Sequence, residues 1–291
     1  MLQEKMKKFI AISRPIYWIG PPVAYALGLY VNSAPIGLVE AIELFLLSAP
    51  LAFLTYGIND IYDIETDAIN PRKGGMWGVV LEKKDVKWVM NLCFIIAVSM
   101  LLIAYSTLNI LHAVVMSIGV AWPIAYSMPP FRLKTKPIID SIVNAGYGYF
   151  PFSLACSLVG SLLFLDYRII AFSLCFSGVH ALATIMDMEE DKRAGQTTFS
   201  TALGPRAAAL FALIIFLFNL TFLPAISLSI SACTAFAALL AIYVFIWPTP
   251  ENAKTIFKLM IICFFIWLAY FIANHIILRN PTVNLEILER R

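Results

Sequence analysis

LAFLTYGINDIYDIETD (Leu51–Asp67) runs from residues apolar enough to sit in lipid into a segment with four acidic residues and an asparagine in nine positions. A buried helix that ends in carboxylates needs a reason. The rest of the chain supplies first the membrane and then the reason.

Apolar residues make up 60% of the 291 and charged residues 13%, and the mean hydropathy is +0.82. Soluble domains carry about 25% charged and 45–50% apolar residues, so this composition predicts an all-α integral membrane protein. Segments of about 20 residues cross a bilayer core about 30 Å thick. Apolar segments of that size fall near residues 10–31, 38–59, 87–105, 108–127, 139–164, 167–187, 207–223, 225–247 and 255–278, nine in all. Pro224 either separates the seventh from the eighth or kinks one long helix. The first segment carries Arg14-Pro15 at its head and lacks a small-residue cleavage site, so it reads as a span and not as a cleaved leader.

With no linker or low-complexity stretch, residues 1–291 read as a single transmembrane domain. Within it, helices 1–4 (about 10–127) and helices 5–8 (about 139–247) form a pseudo-repeat, followed by helix 9 (about 255–278). Assigned to alternate sides of nine spans, 17 Lys and Arg residues fall on one side and 4 on the other. Positive residues stay cytoplasmic, which places the N-terminus inside, as in the plasma membrane of a prokaryote. Cys93, Cys156, Cys175, Cys233 and Cys263 all lie within spans without a CxxC pair. They read as small packing residues, not as disulfides or metal ligands.

On a helix each residue advances about 100°, so with Asn59 at zero Asp63 lies near 40°, Tyr56 near 60°, Asp67 near 80° and Asp60 near 100°. These groups share a face at the cytoplasmic end of helix 2. Helix 6 ends in the same way, as HALATIMDMEEDKRAG (His180–Gly195). Asp187 and Asp191 are one turn apart, with His180 about 20° from Asp187 and about 10.5 Å deeper. Carboxylates at the membrane edge cost about 2.5–3.5 kcal/mol each. Two such sets imply a cation between them. Asp and Asn oxygens suit a hard ion, and Mg²⁺ takes one or two carboxylates together with substrate phosphates. Helix ends that simply emerge into water would explain one acidic cluster more easily than two.

Basic residues crowd the same side. NPRKGG (Asn70–Gly75) follows the first cluster, YSMPPFRLKTKP (Tyr126–Pro137) follows helix 4, and Lys192-Arg193 follows the second cluster. Arg and Lys clamp phosphate oxygens, although the positive-inside rule alone would also put them there. Metal, carboxylates and cations together describe a diphosphate cradle. Its chemistry would be loss of diphosphate from an allylic prenyl group, with an apolar, aromatic cavity to shield the carbocation.

The residues that carry this chemistry resemble the UbiA superfamily of intramembrane prenyltransferases, end to end. NDxxDxxxD stands here as Asn59, Asp60, Asp63 and Asp67, and DxxxD with a following glycine as Asp187, Asp191 and Gly195. Within the superfamily the chain looks most like the lycopene elongases. That likeness rests on SRPIYW (Ser13–Trp18), NPRKGG, and AYSMPPFRLKTKPIIDSIVNAG (Ala125–Gly146). Three departures stand out. Arg72-Lys73-Gly74-Gly75 replaces the arginine-proline pair of many relatives, Pro130 occupies a position where many carry lysine, and Thr184 stands where many have a third acid.

The resemblance implies nine helices around a central cavity that opens to the cytoplasmic side and to the bilayer. It implies Mg²⁺ held by Asn59, Asp60, Asp63, Asp67, Asp187 and Asp191, with Asp63, Asp67, Asp187 and Asp191 catalytic. Arg72, Lys73, Arg132, Lys134 and Lys192 are the candidates for diphosphate. Tyr56, Tyr126, Asn144, Tyr147 and His180 are the candidates for lining the cavity, with Asp140 on the same face as Asn144 and Tyr147. The partners implied are a prenyl diphosphate, a lipophilic acceptor and membrane lipid, with no nucleic acid and an oligomeric state the sequence leaves open. Lycopene is the expected acceptor, with quinone rings, chlorophyllide or glycerol-phosphate lipids as alternatives. A cation-coupled transporter would place its acids near the midplane, not at helix ends. His112, Asn219 and Asn274 read as structural, and Glu40 and Glu43 fall where water reaches them.

Overall fold

The computed structural model describes residues 2–68 and 78–274. The described chain contains helices and no strand. In order these are α1 (Leu2–Ser13), α2 (Gly20–Val31), α3 (Leu38–Leu46), α4 (Ala49–Tyr62), α5 (Ile64–Asp67), α6 (Val86–Ser106), α7 (Ile110–Ser127) and α8 (Ile139–Ile142). There follow α9 (Gly146–Leu158), α10 (Tyr167–Met186), α11 (Met188–Arg193), α12 (Phe199–Leu203), α13 (Pro205–Asn219), α14 (Leu223–Ile226), α15 (Leu228–Ile246) and α16 (Pro250–Ile272).

Six stretches are long and apolar enough to cross a membrane: Leu38–Tyr62, Lys83–Ser106, Ile110–Ser127, Tyr167–Met186, Leu228–Ile246 and Pro250–Ile272. The other three expected spans are shorter or broken, each for a visible reason. Residues 10–31 divide into α1 and α2 at Arg14-Pro15 and Gly20-Pro21-Pro22, where prolines withhold the backbone donors a continuous helix needs. Residues 139–164 divide into α8, a 3₁₀ turn at Val143–Ala145, and α9. The seventh expected span is the 15-residue α13, which ends at Asn219. Pro224 lies at the start of the short α14, where its missing N–H costs nothing, so α13 and α15 are two helices.

Helix starts follow the capping rules. Asn109 accepts the His112 N–H at 3.1 Å, Asp166 the Arg168 N–H at 2.8 Å, and Thr249 the Asn252 N–H at 3.2 Å. Each satisfies a donor that the first helical turn leaves orphaned.

The chain forms two compact units, Met1–Leu133 with Gly146–Phe164, and Lys134–Ala145 with Leu165–Arg291. In the first, Ile12, Tyr25, Leu29, Phe53, Leu54, Val89, Met100, Met116, Leu154 and Ala155 form the core. Helix α2 lies tightly against α9, since a Cβ on Gly28 would come within 2.8 Å of Ala155 Cβ and 2.9 Å of the Phe152 carbonyl. In the second unit Ala181, Ala208, Ala209, Ala212, Ala241 and Ala253 are wholly buried around Leu182, Ile185 and Phe216. Small residues that let helix backbones approach are the usual interface of membrane helices.

At the end of the Leu38–Tyr62 span away from the acidic segment lies a sealed polar cluster. Tyr25 donates to Glu43 Oε2 at 2.5 Å, His112 Nε2 meets Glu43 Oε1 at 2.8 Å, and His112 Nδ1 lies 3.2 Å from both the Leu154 carbonyl and Ser157 Oγ. The expectation that water reaches Glu43 is therefore corrected: its exposure is 0%. Tyr25 and His112, brought from α2 and α7, cover it. Both carboxyl oxygens of Glu43 thus have a hydrogen-bonding partner, which is what a fully buried carboxyl group requires. His112 is structural, as expected, and Asn219 likewise spends its amide N–H groups on the carbonyls of Ala171 and Ile215.

Candidate active site

In the first unit, α4 ends at Tyr62 and Asp63 forms the junction with α5, at φ −115° and ψ 10°. The helical ladder is resumed across it, because the Asp67 N–H donates to the Asp63 carbonyl at 2.7 Å. Asp63 and Asp67 are therefore held one turn apart, and both are buried. Arg132 Nη2 donates to Asp63 Oδ1 at 3.4 Å, and Ser127 Oγ donates to Asn59 Oδ1 at 3.4 Å.

Asp60 has a different setting. It has no exposed surface, and Arg14 Nη2 donates to its Oδ1 at 2.9 Å. The Arg14 guanidinium also lies over the Tyr56 ring, 4.1 Å from its centroid, a distance at which the ring quadrupole attracts a cation. Tyr147 donates to the Tyr56 hydroxyl at 3.1 Å. Tyr17 packs on Tyr56 at 5.2 Å, and Trp122 meets Tyr147 edge-on at 5.0 Å. Four aromatic rings thus extend from the buried Arg14–Asp60 pair. Arg14 is the residue that reasoning from the motifs missed. Its signal was a charge at the head of an apolar span, with no acid nearby in sequence to explain it.

In the second unit the backbone repeats the device. Helix α10 ends at Met186, Asp187 forms the junction with α11 at φ −103° and ψ 1°, and the Asp191 N–H donates to the Asp187 carbonyl at 2.8 Å. Thr198 Oγ1 donates to Asp191 Oδ2 at 3.2 Å. Gly195, at φ 67°, lies in the left-handed region just after α11, where glycine ends a helix without strain. Both aspartates are half-buried, and Lys192 is exposed.

The remaining candidates distribute as follows. His180 Nδ1 lies 3.2 Å from Ser141 Oγ. Asp140 Oδ2 accepts the Phe199 N–H at 2.7 Å, fastening α8 to α12 behind the second motif. Asn144 gives its amide to the Asp140 carbonyl at 2.6 Å. A 3₁₀ turn at Val143–Ala145 separates α8 from α9, and Asn144 falls in the second unit and Tyr147 in the first. Lys134 is buried and Tyr126 half-buried at the end of α7. Arg72 and Lys73 lie outside the described residues.

Among the described residues no three Asp, Glu, His or Cys side chains form a ready-made metal cage. What the motifs offer is pairs of carboxylates with amide and hydroxyl oxygens beside them. That donor set fits Mg²⁺, which keeps waters and completes its shell with substrate phosphates.

The chain is similar to known proteins in sequence and in fold. Lycopene elongase/hydratase from Corynebacterium glutamicum is 27% identical over 218 residues, covering 74% of this chain and 76% of that protein. The protein of the same name from Haloarcula japonica is 31% identical over 208 residues, 67% of this chain and 66% of its own. Among solved structures, a UbiA homologue from Archaeoglobus fulgidus bound to DMAPP and Mg²⁺ shares the fold with a TM-score of 0.64 at 20% identity, covering 90% of this chain and 99% of that one. A UbiA homologue from Aeropyrum pernix, without ligand, gives 0.68 at 21% identity over 91% and 99%. The family model described as the UbiA prenyltransferase family matches residues 19–275, and the chain belongs to that family.

Proposed function

We propose that this protein transfers a C5 dimethylallyl group from its diphosphate to an end of lycopene, on the way to C50 carotenoids, with Mg²⁺ as cofactor. The observation that carries the reading is the repeated junction: two separate helices each end on an aspartate whose carbonyl holds the next aspartate one turn on. The relatives named for lycopene elongation support the acceptor.

In this reading Asp63, Asp67, Asp187 and Asp191 hold the metal, with Asn59 alongside. Mg²⁺, when bound, neutralises the diphosphate and makes it a better leaving group. Arg132, Lys134 and Lys192, with Arg72 and Lys73, orient the phosphate oxygens. The C–O bond breaks to give diphosphate and an allylic cation, and the terminal alkene of the acceptor attacks that cation. The tertiary cation then loses a proton or captures water. Tyr147 and Trp122 offer aromatic surface to the positive charge, and Tyr126, Asn144 and His180 complete the lining. The membrane topology belongs to the same proposal: nine spans, a cytoplasmic N-terminus, acids on the cytoplasmic side, and a cavity open to the bilayer through which so apolar an acceptor enters.

The test is an assay of membranes from cells expressing the protein, given lycopene, dimethylallyl diphosphate and Mg²⁺, with pigments analysed by mass. C45 and C50 products that disappear with EDTA are expected. Folded protein that binds the diphosphate but extends no carotenoid would discard lycopene and turn the search to quinone, chlorophyllide or glycerol-phosphate acceptors.

A further inference from the structure

Of the five non-glycine residues with positive φ among the described ones, two are the arginines that reach the first motif, Arg14 at φ 48° and Arg132 at φ 39°. A side chain bearing a Cβ is strained there, and such strain persists only where the surroundings enforce it. At Arg14 the surroundings are visible. One face of the guanidinium is covered by the Tyr56 ring, and Nη2 is taken by Asp60. The backbone of Gly78 also closes on it: a Cβ there would lie 3.0 Å from Arg14 Nε, and Gly78 is itself at φ 106°. Any side chain at 78 would both strain the backbone and push the arginine away.

We propose that Arg14 is a positioning residue for prenyl transfer and that the carboxylate of Asp60 serves Arg14, not a metal. This rests on the prenyltransferase reading and departs from the motif's expectation that every acid in NDxxDxxxD holds Mg²⁺. The buried pair fixes Tyr56, and through the Tyr56–Tyr147 hydrogen bond it fixes the aromatic rings beside the reacting carbons. It is also self-neutralising. An arginine beside a forming carbocation would oppose it, whereas an arginine matched by Asp60 leaves the field to the rings. The face of Tyr56 occupied by Arg14 is closed to substrate, so cation–π support comes from Tyr147 and Trp122.

The experiment compares R14K, R14Q, D60N and the double variant R14Q/D60N with D63N. One readout is kcat and donor KM. The other, independent of turnover, is the Mg²⁺ concentration that half-saturates thermal stabilisation of the purified protein by an unreactive dimethylallyl thiolodiphosphate. We expect R14Q and D60N each to lower kcat about tenfold or more while donor KM stays within about threefold. Half-saturating Mg²⁺ stays within about twofold for both but rises about tenfold or more in D63N. The double variant is no worse than the poorer single, R14K recovers part of the rate, and if a single variant fails to fold the double carries the test. A Mg²⁺ shift in D60N as large as that in D63N would overturn the proposal, because Asp60 would then be a ligand. A rise in donor KM in R14Q with kcat unchanged would overturn it too, since Arg14 would then touch diphosphate. So would losses that simply multiply in the double variant. Wild-type behaviour of D63N in both readouts would instead defeat the metal reading, while the Arg14–Asp60 coupling is still measured by the double variant.

Discussion

At Asp63 the chain leaves α4 with φ −115° and ψ 10°, and at Asp187 it leaves α10 with φ −103° and ψ 1°. In both places the acid four residues on returns its N–H to the junction carbonyl, at 2.7 and 2.8 Å. The backbones match, but the surroundings do not. Asp60, Asp63 and Asp67 are buried, with Arg14 and Arg132 reaching the first two. Asp187 and Asp191 are half-buried, and a threonine hydroxyl reaches the second of them. Two of the three buried carboxylates of the first motif meet a guanidinium, whereas Asp191, nearer the water, meets a hydroxyl. Carboxylate spacing is therefore a property of the backbone at each junction, and the electrostatics are set independently by the neighbours.

The strongest way to break this comparison is to remove one junction acid at a time. Asp63→Asn and Asp187→Asn should each reduce turnover about a thousandfold or more, if both junctions hold metal in the same reaction. Their effects on folding should differ. D63N alters a buried side chain and should change the unfolding temperature, while D187N alters a half-buried one and should leave it close to wild type. Equal shifts, measured by thermal unfolding in detergent, would erase the contrast.

A smaller effect is expected from Arg132→Gln. The Arg132–Asp63 contact is long, at 3.4 Å, and the arginine side chain is 36% exposed, so little stability is at stake once solvent screening is counted. Donor KM should rise about tenfold with the unfolding temperature unchanged. A large stability loss would show that Arg132 belongs to the fold and not to the substrate site. The smallest effect is expected from Thr198→Val, which removes one hydroxyl–carboxylate bond of 3.2 Å and should cost about 1 kcal/mol. Turnover should fall only a few-fold. A collapse as deep as that of D187N would mean that the hydroxyl, and not solvent, holds the second site together.

The membrane class and the two acid pairs were legible in the sequence, because carboxylates spaced by one turn at the end of an apolar run contrast sharply with their surroundings, but the helix breaks at Asp63 and Asp187 were not. The pairing of Arg14 with Asp60 was not. The partners are 46 residues apart, and only packing of α1 and α4 brings them together. Glu43 failed as a solvent-exposed residue for the same reason: its position along the span was read correctly, but Tyr25 and His112 reach it from other helices. The fifth segment looked continuous because its apolar residues are. The turn that divides it, at Val143–Ala145, is itself helical, and hydropathy does not register a change of helix type.

That division has a consequence for how the protein is made. Helix α9 belongs to the first unit and places Leu154 and Ala155 in its core, yet Lys134–Ala145, the opening piece of the second unit, is translated before it. The first unit is therefore incomplete when the ribosome has passed Leu133, with the face of α2 around Gly28 still awaiting its partner. Biosynthesis cannot finish one half and then begin the other, and a chain severed at 133 would leave the first unit without Gly146–Phe164 and the second unit carrying it, whereas Phe164 marks the first point at which a complete unit has been made.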